Sequence, residues 1–227
     1  MKPSYFVAAF TPSKVIQARV HKHTIMQFAE KVGLVYFGYV DQRNDDHRLV
    51  RGLTVSAKHR DNNYCIGSFD GYDIALVERS DKIEFPGKPS KRHEWIIMTF
   101  DLHAKVDIPH IFMGLHTHGE AFYAQLFTKF STLSKVPLGT LGVYEGAFAQ
   151  KYALFATPTQ ALSAERLFNP AFAKKIVDEF GSFTLEIVDG TLYVYAEHQR
   201  VTSGLLEKML KNGLWVARAL DEGSANL

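Results

Sequence analysis

Two rhythms of apolar residues run along this chain, one of helical period and one alternating every second residue. Between residues 14 and 32, Val15, Ala18, Ile25, Ala29 and Val32 fall on one helical face, interrupted only by Lys22, and Gly33 supplies the stop. The rhythm then shifts. The segments "LVYFGYV" (Leu34–Val40) and "LVRGLTVSA" (Leu49–Ala57) are rich in aromatic and β-branched residues and predict strands. Next, "NYCIGSF" and "YDIALVE" flank Asp70-Gly71, the dipeptide whose positive φ angles a two-residue type I′ turn requires. That turn pairs Phe69 with Tyr72 and Cys65 with Leu76, so Cys65, Phe69, Tyr72, Ile74 and Leu76 share an apolar face.

After a basic stretch, "EWIIMTFDL" (Glu94–Leu102) is apolar nearly throughout, as a central strand is. "IPHIFMG" (Ile108–Gly114) is short, and Pro109 puts it at a sheet edge or a strand start. "KYALFA" (Lys151–Ala156) is a further strand, running into Thr157-Pro158 with Gln160 placed for a capping box. Asn169-Pro170 opens another helix that Gly181 closes. A second hairpin is turned by Asp189-Gly190, with Phe183, Leu185 and Ile187 facing Leu192, Val194 and Ala196. A last helix over 203–220 buries Leu206, Met209, Leu210, Ala217 and Leu220, and "DEGSANL" reads as a loose tail. Hairpins, not strand–helix–strand crossovers, dominate this order. It predicts one α+β domain over 1–227: a curved, mainly antiparallel sheet with hairpins at 64–79 and 182–197, packed against about four helices.

Composition narrows the function classes. With 227 residues, 46% hydrophobic and 22% charged, the chain is long and apolar enough to bury a sizeable core. A formal net charge of +2 gives no case for nucleic acid. The basic stretch "KPSKRH" (Lys88–His93) reads as a solvated loop, and a peripheral membrane contact through Lys88–Arg92 is the sharper alternative. The single cysteine, Cys65, forms no internal disulfide and fits a reducing compartment, and no apolar run reaches the ~20 residues a membrane span needs. The expected setting is the cytoplasm. Either terminal helix, 14–32 or 203–220, offers a surface for oligomerisation.

Candidate chemistry concentrates in "GLHTHGEAFY" (Gly114–Tyr123). As an extended strand it places His116, His118 and Glu120 on one face, a donor set suited to zinc or iron with a coordination position left open. As a helix start, "THGE" is a capping box: Thr117 caps, Glu120 reaches back, and Phe122, Leu126, Phe130 and Leu133 continue at helical spacing. The residues that follow favour the helix. Ten histidines are scattered along the chain, and neither His-Glu-x-x-His nor a paired-cysteine zinc motif is present. His21 and His23, two apart on a helix, point away from each other. Cys65 sits on an apolar hairpin face, where a buried inert thiol is the common case. Tyr193 and Tyr195 fall on the outer face of their hairpin, either as an exposed binding surface or beneath a covering element.

Several of these segments together resemble a loose group of bacterial proteins that share a domain of unknown function. The resemblance rests on Gly67, Phe69 and Gly71 in a G-x-(F/Y)-x-G hairpin and on the block from Tyr152 to Ala196. Many members follow a membrane anchor, which is not expected here because no apolar run is long enough; the resemblance implies no activity, cofactor or catalytic residue. The sequence therefore points to a non-catalytic binding or interaction module without a cofactor. The alternative is a metal-dependent enzyme using His116, His118 and Glu120.

Overall fold

A computed structural model describes residues 12–39, 59–83, 89–127, 132–137 and 146–224. Helix α1 (Pro12–Val32) leads into β1 (Val35–Gly38), β2 (Arg60–Phe69), β3 (Tyr72–Ile83), β4 (Lys91–Asp101) and β5 (Ile111–Leu115). Then come α2 (Glu120–Leu126), β6 (Ser134–Lys135), α3 (Ala147–Lys151) and β7 (Tyr152–Ala156). A 3-10 turn enters α4 (Ala161–Leu167), and α5 (Pro170–Lys175) runs into a π-helical turn. The hairpin β8 (Thr184–Val188) and β9 (Thr191–Glu197) precedes the long α6 (Ser203–Ser224). The predicted strand at 49–57 and the residues after Ser224 lie outside the described residues.

All nine strands join one antiparallel sheet in the order β1-β2-β3-β4-β9-β8-β5-β7-β6. The fold is α+β, and six α-helices accompany the sheet among the described residues, not about four. Both predicted hairpins have the expected register. Phe69 pairs with Tyr72 and Cys65 with Leu76; Leu185 pairs with Val194 and Ile187 with Leu192. Asp70 and Gly71 take φ of 54° and 87°, and Asp189 and Gly190 take 51° and 72°, the left-handed turn conformation that fixes both registers.

Strand alternation sends two different side-chain sets to the two faces. One face is mainly aliphatic: Leu76, Met98, Leu154, Leu185, Val194 and their neighbours, with Phe100 and Tyr152, bury against Leu206, Met209 and Ala217 of α6 and Ile25 and Phe28 of α1. The other is aromatic, with Tyr64, Trp95, Phe112, Phe155 and Tyr195 buried together with Tyr123 and Phe127 of α2. Tyr193 and Tyr195 are only 5% and 0% exposed, so this face is a second core layer and not the exposed tyrosine surface that was one of the two readings.

Four expectations change. Residues 15–20 of α1 are all exposed, so Val15 and Ala18 do not face the core; burial on this helix begins at Ile25. Lys91, Arg92 and His93 belong to β4 and not to a loop, because Asp81 to Ile83 of β3 extend the ladder to pair with them. Asp221 to Ser224 continue α6, held by Asp221, which accepts from Tyr72 Oη at 2.7 Å and from the His103 amide at 2.8 Å. Gln160 does not close a capping box on the amide of Thr157; the Thr157 hydroxyl instead donates to Gln160 Oε1 at 2.8 Å. Asn169 caps as expected, accepting from the Phe172 amide at 3.0 Å.

Candidate functional site

The register between β4 and β9 sets the site. Trp95 pairs with Glu197, so His93, two residues earlier on β4, lies on the same face beside the end of β9. His198 follows immediately. Its φ of 49° is left-handed, a rare conformation for a residue with a side chain, and its amide donates to Glu94 O at 2.9 Å. The turn after β5 brings His118 to the same place.

The four side chains form a chain of contacts. His118 Nε2 donates to Glu197 Oε2 at 2.7 Å. His93 Nε2 lies 2.6 Å from Glu197 Oε1, yet no hydrogen bond is directed along that line, and the atom is buried. His93 Nδ1 and His198 Nε2 are 3.2 Å apart. Aromatic rings fix these imidazoles: Trp95 packs on His93 at 4.2 Å between centroids, and Phe122 stacks on His118 at 4.2 Å while also touching His93. Burial pushes the Glu197 carboxyl up, but the His118 and His93 imidazoles outweigh burial and hold it at about 2. Burial, with His93 beside it, pulls His198 below its ordinary value.

Next to this cluster is a cleft of about 450 Å³. Tyr123, Phe127, Leu133, Ala153 and Phe155 form its apolar lining, and His116, His118, Ser134 and Lys135 its polar rim. Tyr123 is held by donation from its hydroxyl to Leu115 O at 2.5 Å, and Gly114 leaves the space that its ring fills. A Cβ on Gly114 would lie 2.3 Å from the Tyr123 oxygen. His118 and Tyr123 thus connect the cleft with the histidine cluster.

The residues read from the sequence are distributed differently. A tight turn, closed by the His118 amide on Leu115 O at 3.2 Å, takes up Thr117, so α2 starts later with Gly119 as its N-cap and no side-chain cap. The Thr117 capping box is therefore not formed. Glu120 opens α2, and its side chain lies outside the described residues. His116 is exposed on the cleft rim. Among the described residues, the group of donor atoms close enough to hold one ion is His93, Glu197 and His198.

Other candidates are engaged in structural roles. His21 contacts Glu78 at 2.7 Å, His110 donates to Glu186 at 2.8 Å, and His103 stacks on Tyr72 at 4.8 Å. Cys65 is fully buried, and burial pushes its thiol up to about 12, which leaves no thiolate for catalysis at neutral pH. Sequence reading passed over His93 because it was grouped with a basic loop. The signal available was the Glu197-His198 pair at the end of a strongly patterned strand.

No family model matches the chain, and neither does any curated protein. A solved structure shares the fold: the mycobacterial trehalose monomycolate transport factor A, TtfA, with a TM-score of 0.59 over 90% of this chain and 94% of that one. Identity is 12%, so the likeness extends to the fold alone. Among the described residues, no helix is long and apolar enough to cross a membrane.

Proposed function

We propose that this chain is a non-catalytic binding module that takes a small amphiphile in the cleft between β5, α2, β6 and β7. The observation behind this reading is the composition of the cleft: an aromatic and aliphatic lining of about 450 Å³ under a rim that includes Lys135 and two histidines. An acyl or aryl group suits the lining, and an anionic end suits Lys135. A neighbour in fold named as a transport factor accords with a carrier or accessory role. A cytoplasmic setting and kinship with the bacterial group of unknown function belong to the same proposal. So does contact with a partner or a second copy through the exposed apolar residues Val15, Ile16 and Val20 of α1.

Titration with a fluorescent fatty acid tests the ligand reading. Saturable binding that Ala124→Trp blocks and Lys135→Glu weakens is the expected result, since both positions line the cleft away from the core. Binding that is absent, or indifferent to both changes, removes the proposal.

A second reading is metal-dependent catalysis on His116, His118 and Glu120. It is favoured by the position of both histidines on the cleft rim, where a substrate would meet them. Metal-dependent hydrolysis of an ester probe that His116→Ala abolishes is its expected signature, and hydrolysis unchanged by that substitution ends it.

A further inference from the structure

The histidine cluster has more donor atoms than its internal contacts use. Three of its residues, His93, Glu197 and His198, offer ligand atoms within 4.8 Å of one another. His118 lies outside that group and donates to the other oxygen of Glu197 at 2.7 Å. Imidazole nitrogen with one carboxylate oxygen is a donor set for zinc and related first-row divalent ions. Around an ion held at about 2.0–2.1 Å, tetrahedral donors sit about 3.3 Å apart. One imidazole gives one nitrogen to one ion, so His93, whose Nε2 faces Glu197 at 2.6 Å and whose Nδ1 faces His198 at 3.2 Å, turns its ring on binding.

Three further observations distinguish this cluster from an ordinary surface ion pair. His93 is 6% exposed, and its Nε2 is buried without a directed hydrogen bond while facing the carboxylate. That nitrogen is engaged by Glu197 Oε1 at 2.6 Å, an ion-pair contact off the direction of a good hydrogen bond. His198 adopts a left-handed backbone in the position that brings its ring against His93, with centroids 4.1 Å apart. Trp95 and Phe122 pack on the imidazoles from the sides, as the shell around a metal centre does. Glu197 and His198 are neighbours at the end of β9, and β4 brings His93 to them from across the sheet.

We propose that His93, Glu197 and His198 bind one divalent first-row cation of the zinc class. The ion ties the start of β4 to the end of β9, and the bond from His118 to Glu197 Oε2 links that end of the sheet to the cleft wall. Three protein donors leave the fourth tetrahedral position to water.

The test is zinc chloride added to untagged, chelator-treated full-length protein, followed by native mass spectrometry and by competition with a chromophoric chelator. One zinc per chain is expected, with a raised thermal midpoint. His198→Ala, at an exposed position with little folding risk, should weaken binding at least about tenfold, and Glu197→Gln should do the same. His116→Ala should leave affinity unchanged. If neither stoichiometric binding nor a thermal shift occurs in the folded wild type, the proposal is overturned. Binding lost in His116→Ala but retained in His198→Ala also overturns it, and moves the metal to the loop.

Discussion

The two faces of the one sheet are built on different principles. The face toward α1 and α6 is mainly aliphatic and continuous, with Leu76, Met98, Leu185 and Leu192 all at 0% exposure and Phe100 and Tyr152 among them. The opposite face mixes aromatic rings with buried charge. There Arg79 donates Nε and Nη2 to Asp61 at 2.7 and 2.6 Å, and both side chains are buried. Glu186 accepts from Tyr195 at 2.5 Å and from His110 at 2.8 Å, and Glu197 faces the histidine cluster. The first face is held by area removed from water, which tolerates rearrangement of similar volume. The second is held by specific partners, so its residues are costly to lose one at a time and have little effect when lost in pairs. The proposed cleft and cation site both lie on the face where identity and not volume is specified.

The contrast can be broken most severely at Asp61. Asp61→Ala leaves Arg79 buried beside an empty position and should cost about 3–5 kcal/mol, read from urea denaturation. Replacing both, Asp61→Leu with Arg79→Met, should recover most of that loss; a double variant as unstable as the single one would mean that the face does not work by pairing. Leu192→Ala on the aliphatic face should cost about 2–5 kcal/mol, and no second substitution of a contacting polar group should rescue it.

Overpacking sharpens the comparison further. A Cβ on Gly213 would lie 2.0 Å from the ring of Phe100 on the aliphatic face, and one on Gly114 would meet Tyr123 on the other. Each alanine substitution should cost about 1–3 kcal/mol. Only Gly114→Ala should alter amphiphile binding, because Tyr123 borders the cleft. Equal ligand affinity in both variants would sink that assignment.

The smallest effect is alkaline. Burial raises the Cys65 thiol from 9.0 to about 12. A folded-state value above the unfolded one stabilises the fold fully below pH 9.0, and that contribution fades as pH rises toward 12. Cys65→Ala should therefore flatten part of the loss of stability in this window, seen in denaturation midpoints across it. The native thiol should react with alkylating reagents only at the rate of unfolding.

Much of the aliphatic face was legible in the chain because its signals are local. Asp70-Gly71 and Asp189-Gly190 set their registers from within, and alternation then assigns Leu185, Ile187, Leu192 and Val194 to one side. The histidine cluster was not legible, because it depends on a side-chain contact between His93 and Glu197, which lie far apart in the chain. "HTHGE" misled in the opposite direction. Its spacing suggested one shared site or one cap, whereas the turn at Leu115–His118 sends His118 to Glu197 and leaves His116 on the rim. The exposed half of α1 was misassigned because periodicity identifies an apolar face without showing what lies against it.

The strand order has a consequence for how the molecule is made. β4 and β5 are successive in the chain, yet the β8–β9 hairpin stands between them in the sheet. Without residues 184–197, the sheet would be two fragments, β1–β4 and β5–β7–β6, with the long edge of β4 and the short edge of β5 unpaired. Such edges pair promiscuously, and non-local closure is slow. The last hairpin is the keystone that joins the two halves, since β9 pairs with β4 and β8 with β5.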